Sequence, residues 1–155
     1  MHSSERDPAS EWRCPVITQG VKLTARCNDC GGVSTRDIGQ FIDRDQLWWG
    51  TEVSCGNCPT AWCEQDTGGS TPDEIRNALL AEHGPVLLRL TDTEAGLVPV
   101  LRALREVLGL PLNTARAMAT SLKETGLSGT LVEMEFLSHG LRRRSVTTAI
   151  EPLPD

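Results

Sequence analysis

Two cysteine motifs, Cys27-Asn28-Asp29-Cys30-Gly31-Gly32 and Cys55-Gly56-Asn57-Cys58-Pro59, flank a segment of the chain that spans residues 33–54. A Cys-x-x-Cys pair can fold as a tight turn, a knuckle, that directs two thiolates toward one point. Two knuckles on adjacent hairpins supply the four ligands of a tetrahedral zinc ion. The spacing therefore predicts a structural Zn²⁺ site formed by Cys27, Cys30, Cys55 and Cys58.

Two other interpretations use the same cysteines. The four thiols could form two disulfides, or they could hold iron in a rubredoxin-like site. Gly31 and Gly56 fit the knuckles, because each turn needs a position where the backbone bends with positive φ while its amides approach sulfur.

Cys14 and Cys63 remain outside the two motifs. The chain has three histidines, and none is spaced to complete a second metal site with these cysteines. We expect Cys14 and Cys63 to be buried or paired thiols beside the metal site. The alternative is that one of them replaces a knuckle cysteine as a ligand.

The composition is that of a globular chain: 155 residues with 39% hydrophobic content can bury a core shared by one domain or two small ones. No segment approaches the ~20 apolar residues of a transmembrane helix. The N-terminus lacks the apolar stretch of a signal peptide. We therefore expect a cytoplasmic protein with reduced thiols and no membrane partner.

Charge separates the chain into two parts. Residues 1–84 carry 7 Lys and Arg against 13 Asp and Glu, whereas residues 85–155 carry 8 of each kind. Nucleic-acid affinity comes largely from Lys and Arg that displace counterions from phosphates. The acidic first part therefore makes a nucleic-acid partner possible but not favoured.

Hydrophobic patterning predicts an α+β fold in four segments. These are a disordered N-terminus at 1–11, an antiparallel zinc ribbon at 12–66, a loop and connector helix at 67–85, and a small α/β domain at 86–155. Val21, Leu23 and Ala25 alternate with polar residues as in a strand, and 47–53 forms a second strand. We expect the ribbon core to contain Phe41, Trp48, Trp49 and Trp62, unless one tryptophan is an exposed anchor for a partner.

Capping signals delimit the helices. Thr71 and Glu74 predict a capping box for the connector helix, which ends at His83. The last segment then has the order strand, helix, helix, helix, strand. Its helices are expected at about 95–108, from 112 or 113 onward, and at 130–139, where Thr130 and Glu133 form a second capping box and Gly140 ends the helix. Residues 126–129 are expected to form a loop, and 144–150 the last strand.

The segment 97–116 reads LVPVLRALREVLGLPLNTAR. With its neighbours from about 86 to 151, it resembles the C-terminal domain of the bacterial ribosomal stalk protein, the L-seven/L-twelve family, in element order and local sequence. This resemblance covers somewhat under half of the chain. It implies that the helix containing 97–108 docks translational GTPases, since that is the family's docking surface.

The family's apolar contacts are matched here at Val98 and Leu101, and its basic contacts at Arg102, Arg105 and Arg116. Two positions depart from the family: Leu97 stands where it has a lysine, and Pro111 replaces the small residue of its turn. A zinc ribbon also stands in place of the stalk protein's dimerisation region and hinge. The alternative is a reused fold in which these arginines form a solvated face.

No grouping of side chains suggests catalysis, and a zinc ion with four thiolate ligands has no open position for water. We therefore expect a non-enzymatic adaptor or regulator that binds a protein partner, plausibly a translational GTPase or the ribosome. Two alternatives stay open. One is a zinc-ribbon regulator of transcription or translation that associates with nucleic acid, and the other is an immunity-type protein that reuses both modules.

Overall fold

The computed structural model describes residues 18–68, 70–92, 94 and 96–153. Within these residues the protein has a mixed α+β fold with two antiparallel sheets and four helices. The elements are β1 (Thr18–Arg26), β2 (Val33–Asp43), β3 (Gln46–Cys55), β4 (Ala61–Thr67), α1 (Asp73–His83), β5 (Val86–Leu90), α2 (Leu97–Leu108), α3 (Leu112–Glu124), β6 (Leu127–Gly129), α4 (Leu131–Arg143) and β7 (Thr148–Pro152).

The first sheet contains β1 to β4 in sequence order, each strand antiparallel to the next. Arg44 and Asp45 connect β2 to β3 and both have positive φ, as expected for a two-residue hairpin turn that follows the twist of the strands. The strands β1 and β3 match the predicted ones. The strands β2 and β4 were not predicted, and they extend the sheet to four strands.

Side chains alternate between two faces of this sheet. We call the face that carries Ile38 and Gln40 of β2 the inner face, because α1 and α4 pack against it. The opposite, outer face carries Asp37, Gly39 and Phe41, and no described helix covers it.

The aromatic residues are divided between the faces, so the predicted aromatic core does not form. Trp49 packs against the inner cluster, whereas Phe41 and Trp48 stack on each other on the outer face. Trp62 of β4 lies on the inner face beyond the helices and is 48% exposed. The expectation of a core role was therefore wrong for Trp62.

The helix α1 covers the inner face. Its Ile75 and Leu79 are fully buried against Ile38 of β2. The predicted N-terminal capping box does not form, since Pro72 occupies the N-cap position and makes no side-chain cap. The hydroxyl of Thr71 instead accepts a hydrogen bond from Gln40 on the sheet. A tertiary contact has replaced the local one.

The second sheet has the strand order β6-β5-β7, with β5 in the centre. Residues 127–129 therefore form a strand where a loop was expected. The helix α4 also runs past its predicted end, because Gly140 is buried inside it rather than terminating it, and β7 begins at Thr148. Thr130 and Glu133 form the predicted capping box at the start of α4.

Buried side chains of β5 and the helices α2, α3 and α4 make a core that is separate from the one under α1. It contains Leu88, Val100, Ala103, Leu104, Ala119, Leu122, Met134, Leu137, Leu141 and Val146. The structure thus has two hydrophobic clusters, one in each half of the described chain.

Polar contacts join the two halves at the first turn of α4. Gln40 donates to Thr71 at 2.8 Å, and its side-chain oxygen accepts from the Thr130 hydroxyl at 2.5 Å, with all three residues buried. Arg76 of α1 forms a salt bridge with Glu133 of α4 at 2.9 Å. These bonds satisfy polar groups that would otherwise be costly to bury.

Among the helices of the described residues, none is both long and apolar enough to cross a membrane. The predicted disorder of residues 1–11 lies outside the described residues.

Candidate metal centre

The two knuckles lie side by side at one end of the four-stranded sheet. The first follows β1, and the second begins at Cys55, the last residue of β3. The register pairs Ser34 of β2 with both Ala25 of β1 and Cys55 of β3, so β2 holds the ends of the two strands together. This is the end of the sheet remote from the Arg44–Asp45 turn.

Two backbone hydrogen bonds close the first knuckle. The amide of Cys27 donates to the Gly32 carbonyl at 2.7 Å, and the amide of Gly31 donates to the Cys27 carbonyl at 2.9 Å. Gly31 has a φ of 75°, as the knuckle prediction requires. Gly56 has no positive φ, so that part of the prediction was wrong. Its amide instead bonds the Val33 carbonyl at 3.3 Å, which ties the second knuckle to β2.

The four predicted sulfurs lie within 4.8 Å of one another. The Sγ atoms of Cys27 and Cys58 are 3.7 Å apart, and those of Cys30 and Cys55 are 3.5 Å apart. A tetrahedral zinc site with Zn–S bonds of about 2.3 Å has sulfur–sulfur edges of about 3.8 Å. The cluster therefore fits a tetrahedral metal ion such as zinc, and the separations are too long for disulfide bonds of about 2.05 Å.

Backbone amides point at the sulfurs, as expected for thiolates that carry negative charge. The amide of Gly32 lies 3.3 Å from Cys30 Sγ, and the amide of Asn57 lies 3.3 Å from Cys55 Sγ. Such N–H groups stabilise the ionised form of the ligand and fix its direction.

Thr60 and Asp29 connect the two knuckles. Thr60 Oγ1 lies 3.1 Å from Cys58 Sγ and 2.7 Å from Asp29 Oδ2. Hydrogen bonds from the Thr60 side chain and backbone lower the pKa of the Cys58 thiol to about 6. The Thr60 hydroxyl donates to Asp29 of the first knuckle, so one side chain contacts both knuckles.

Cys30 behaves in the opposite way. The Gly32 amide lowers the pKa of its thiol, but the neighbouring Cys55 and burial raise it, and the net result is a pKa of about 12. Like charges close together cannot all ionise without a cation among them. A metal ion must therefore displace a proton from Cys30, which makes metal binding stronger as the pH rises.

The four sulfurs differ in exposure, but together they would close the coordination sphere of a metal ion. Cys27 is buried, Cys55 and Cys58 are half-buried, and Cys30 is exposed. Four thiolates fill a tetrahedral coordination sphere, which is typical of structural rather than catalytic metal.

The two cysteines outside the knuckles are Cys63 and Cys14. Cys63 is an exposed free thiol on the outer face of β4, opposite Glu52 of β3, and is not part of the four-sulfur cluster. The expectation of a buried or paired thiol was therefore wrong for Cys63. Cys14 lies outside the described residues.

The predicted partner surface lies on α2 and α3. Val98 is 57% exposed, whereas Leu101 is half-buried and packs against the core, so it offers less surface than expected. Arg102, Arg105 and Arg116 are exposed. Gly109, with a φ of 63°, ends α2 and permits the turn into α3.

Two neighbours enlarge the apolar part of this surface. Leu97 is exposed at the start of α2, and Leu112 is exposed at the start of α3. We define the α2 surface as the exposed side chains Leu97, Val98, Arg102, Arg105, Leu112 and Arg116.

Sequence reasoning missed the support that Asp29 and Thr60 give to the metal cluster. Asp29 lies within the first knuckle and Thr60 follows the second, and this proximity to the cysteines was the sequence signal for their role. Their contact across 31 positions of sequence depends on the strand register and could not be inferred from spacing.

Comparisons with protein families, with curated proteins and with solved structures found no match to this chain.

Proposed function

We propose that this protein is a non-enzymatic zinc-binding adaptor that holds a protein partner on its α2 surface. The observation that carries the proposal is the cluster of four cysteine sulfurs at tetrahedral spacing, with backbone amides directed at two of them. Zinc is the favoured metal because four thiolates at this spacing suit it and because zinc has no redox chemistry, so a structural zinc site needs no redox partner. The ion would stabilise the sheet rather than perform chemistry.

The α2 surface combines features of a protein docking site. Val98 and Leu97 expose apolar area at the start of the helix, and Arg102 and Arg105 follow on exposed positions. Interfaces commonly pair an apolar centre with arginines, which stack and form bidentate hydrogen bonds. The resemblance to the ribosomal stalk family supports a translational GTPase or the ribosome as the partner.

The position of the metal cluster supports the adaptor interpretation. Two exposed apolar side chains lie near the knuckles at the end of the four-stranded sheet, Val33 on the outer face and Trp62 on the inner face. The α2 surface belongs to the other half of the described chain. A contact at either of these side chains would let the protein hold a second partner.

The nucleic-acid alternative receives less support. Residues 142–144 are three consecutive arginines, the chain's longest run of basic residues. Arg143 forms a salt bridge with Asp45, and Arg144 forms one with Glu106. These contacts reduce their availability to phosphate. Binding that weakens by orders of magnitude between low and moderate salt would nevertheless favour this alternative.

The test is affinity capture from cell lysate with the wild type and an Arg102→Glu/Arg105→Glu variant, followed by mass spectrometry. We expect the wild type to retain a translational GTPase or ribosomal particles and the variant to release them. A Lys123→Glu/Arg142→Glu variant, with the same change in net charge at exposed positions elsewhere, should behave like the wild type. If all three proteins retain the same unrelated partner, the stalk-like fold serves another purpose.

A further inference from the structure

Three glycines line up across the outer face of the four-stranded sheet. Gly39 of β2 is the register partner of Gly20 on β1 and of Gly50 on β3. Gln65 of β4 continues the same row. Because glycines have no side chains, Gly39 and Gly50 form the floor of a groove of about 370 Å³ that extends to Gln65, and we call this groove the furrow. Gly20 continues the row on β1 and does not line the groove.

Sheet packing explains two of these glycines but not the third. A Cβ atom at Gly39 would lie 3.0 Å from the Gln19 carbonyl oxygen, and one at Gly20 would lie 3.2 Å from the Ile38 carbonyl oxygen. At Gly50 the nearest atom would be 3.7 Å away, an ordinary contact. The sheet itself does not require glycine at position 50. A glycine inside a strand often marks the close approach of a ligand or another backbone.

Phe41 forms one side of the furrow, and Trp48 stacks beside it. The rings of Phe41 and Trp48 stack with centroids 6.0 Å apart and planes 8° from parallel. The Trp48 indole N–H donates to the Asp43 carbonyl oxygen at 3.3 Å, so it has a partner within the protein. The ring surface left to a ligand is apolar and can attract a cation through its π-face.

The carboxylates of Asp37 and Glu52 form the other side of the furrow. Asp37 of β2 and Glu52 of β3 are directly opposed in the sheet register. Like charges placed opposite each other destabilise a pair of strands. In the described part of the chain, neither carboxylate has a Lys, Arg or His nitrogen within 4.0 Å, although Lys22 is the register partner of Asp37 on β1. Their charges stay available to a cation from outside.

We propose that the furrow binds an arginine side chain carried by an extended segment of a partner protein. The guanidinium group donates to Asp37 and Glu52, while the side-chain stem crosses the glycine floor and packs against the aromatic side. Arginine suits this site better than lysine, because its planar group bonds carboxylates in a bidentate manner. This surface is distinct from the α2 surface and goes beyond the proposed function.

The probe for the test is a blocked pentapeptide, Thr-Val-Arg-Val-Thr, added to the full-length ¹⁵N-labelled protein and followed by NMR. We expect the largest shifts at the amides of Gly39 and Gly50 and at the indole N–H of Trp48. The same peptide with citrulline in place of arginine keeps the shape and loses the charge. It should bind at least about tenfold more weakly, because it loses the charge that strengthens its hydrogen bonds to the two carboxylates.

Two variants test the carboxylates and the glycine floor of the furrow separately. Asp37→Asn/Glu52→Gln removes both charges with little change in shape, and Gly50→Leu fills the floor. Each should weaken binding of the arginine peptide at least about tenfold. Glu82→Gln/Glu124→Gln, with the same loss of charge at exposed positions on α1 and α3, should bind like the wild type. If Gly50→Leu fails to fold, the charge variant alone decides.

Equal affinity for the arginine and citrulline peptides would overturn the proposal, as would shifts centred on the α2 surface. Self-association of the protein that Asp37→Asn/Glu52→Gln abolishes would assign the furrow to a second copy of the chain instead. Arg6 and Arg13 are the only Lys or Arg residues before Thr18. Peptide binding that is seen only after both are changed to Gln would assign the furrow to the chain's own N-terminal segment. The Arg102→Glu/Arg105→Glu variant should bind the peptide normally, so the two proposals can fail separately.

Discussion

Individual residues set the chemistry of the metal cluster. Cys58 is held near its ionised form by the Thr60 backbone and side chain, whereas Cys30 keeps its proton because Cys55 lies 3.5 Å away. The four thiols are therefore not equivalent before the metal binds. The cation is the group that allows all of them to ionise together.

At the same scale, we expect the purified protein to contain one zinc ion per chain by inductively coupled plasma mass spectrometry. Cys30→Ser should lower the metal content severely, because a hydroxyl is a poor zinc ligand at neutral pH. Cys63→Ser, which changes a cysteine outside the cluster, should retain the ion. Lowering the pH should release it as protons compete for the thiolates.

Iron in place of zinc, with visible absorption from thiolate-to-iron charge transfer, would contradict the zinc assignment while leaving the four ligands in place. Full metal content in Cys30→Ser would contradict the ligand set itself.

Single elements depend on contacts that their own sequences do not reveal. The helix α4 continues through Gly140, and at this position it packs closely against α2. A Cβ atom at Gly140 would lie 2.1 Å from Val107 Cγ2. The glycine thus permits two helices to approach, although glycine by itself weakens a helix by about 0.5–1 kcal/mol relative to alanine.

We therefore predict that Gly140→Ala lowers the free energy of unfolding by about 1–3 kcal/mol, because overpacking outweighs the gain in helix propensity. Chemical denaturation would measure the change. The double variant Gly140→Ala/Val107→Ala removes the clashing methyl groups and should restore part of the loss. A Gly140→Ala protein more stable than the wild type would show that the contact between α2 and α4 relaxes easily.

At the scale of the whole molecule, the described residues form two hydrophobic clusters joined by polar bonds. The buried side chains of α1 pack on the four-stranded sheet, while those of α2, α3 and α4 pack on the three-stranded sheet. Gln40 connects the two parts through Thr71 and Thr130. The metal cluster lies at one end of the four-stranded sheet. The Arg44–Asp45 turn, where Asp45 contacts Arg143 of α4, lies at the other end. Loss of the metal ion should therefore destabilise the part formed by the four-stranded sheet and α1 before the other part.

Hydrogen exchange before and after removal of the metal with a chelator tests this arrangement. We expect the amides of β2, β3 and α1 to lose most of their protection, because structural zinc contributes about 10–16 kcal/mol of apparent binding energy to folding. The amides of β5 and α3 should keep most of theirs. Equal loss of protection in both parts would show that the molecule unfolds as one cooperative unit.

Local sequence determined the features that need only neighbouring residues. These are the four cysteines of the two knuckles, the Thr130–Glu133 capping box and the turn at Gly109. Each is set by contacts within about five positions along the chain, and the pairing of the two knuckles follows from their spacing. Hydrophobic patterning also indicated an α+β fold, which the structure confirms at that level.

Tertiary structure decided the rest, because it depends on strand register and on which faces meet. Register aligned Gly20, Gly39 and Gly50 and placed Asp37 opposite Glu52, although these residues are far apart in sequence. Packing on the sheet drew Thr71 away from its local cap toward Gln40. Contacts between residues separated by tens of positions leave no periodic signal in a single sequence, so only the folded chain shows them.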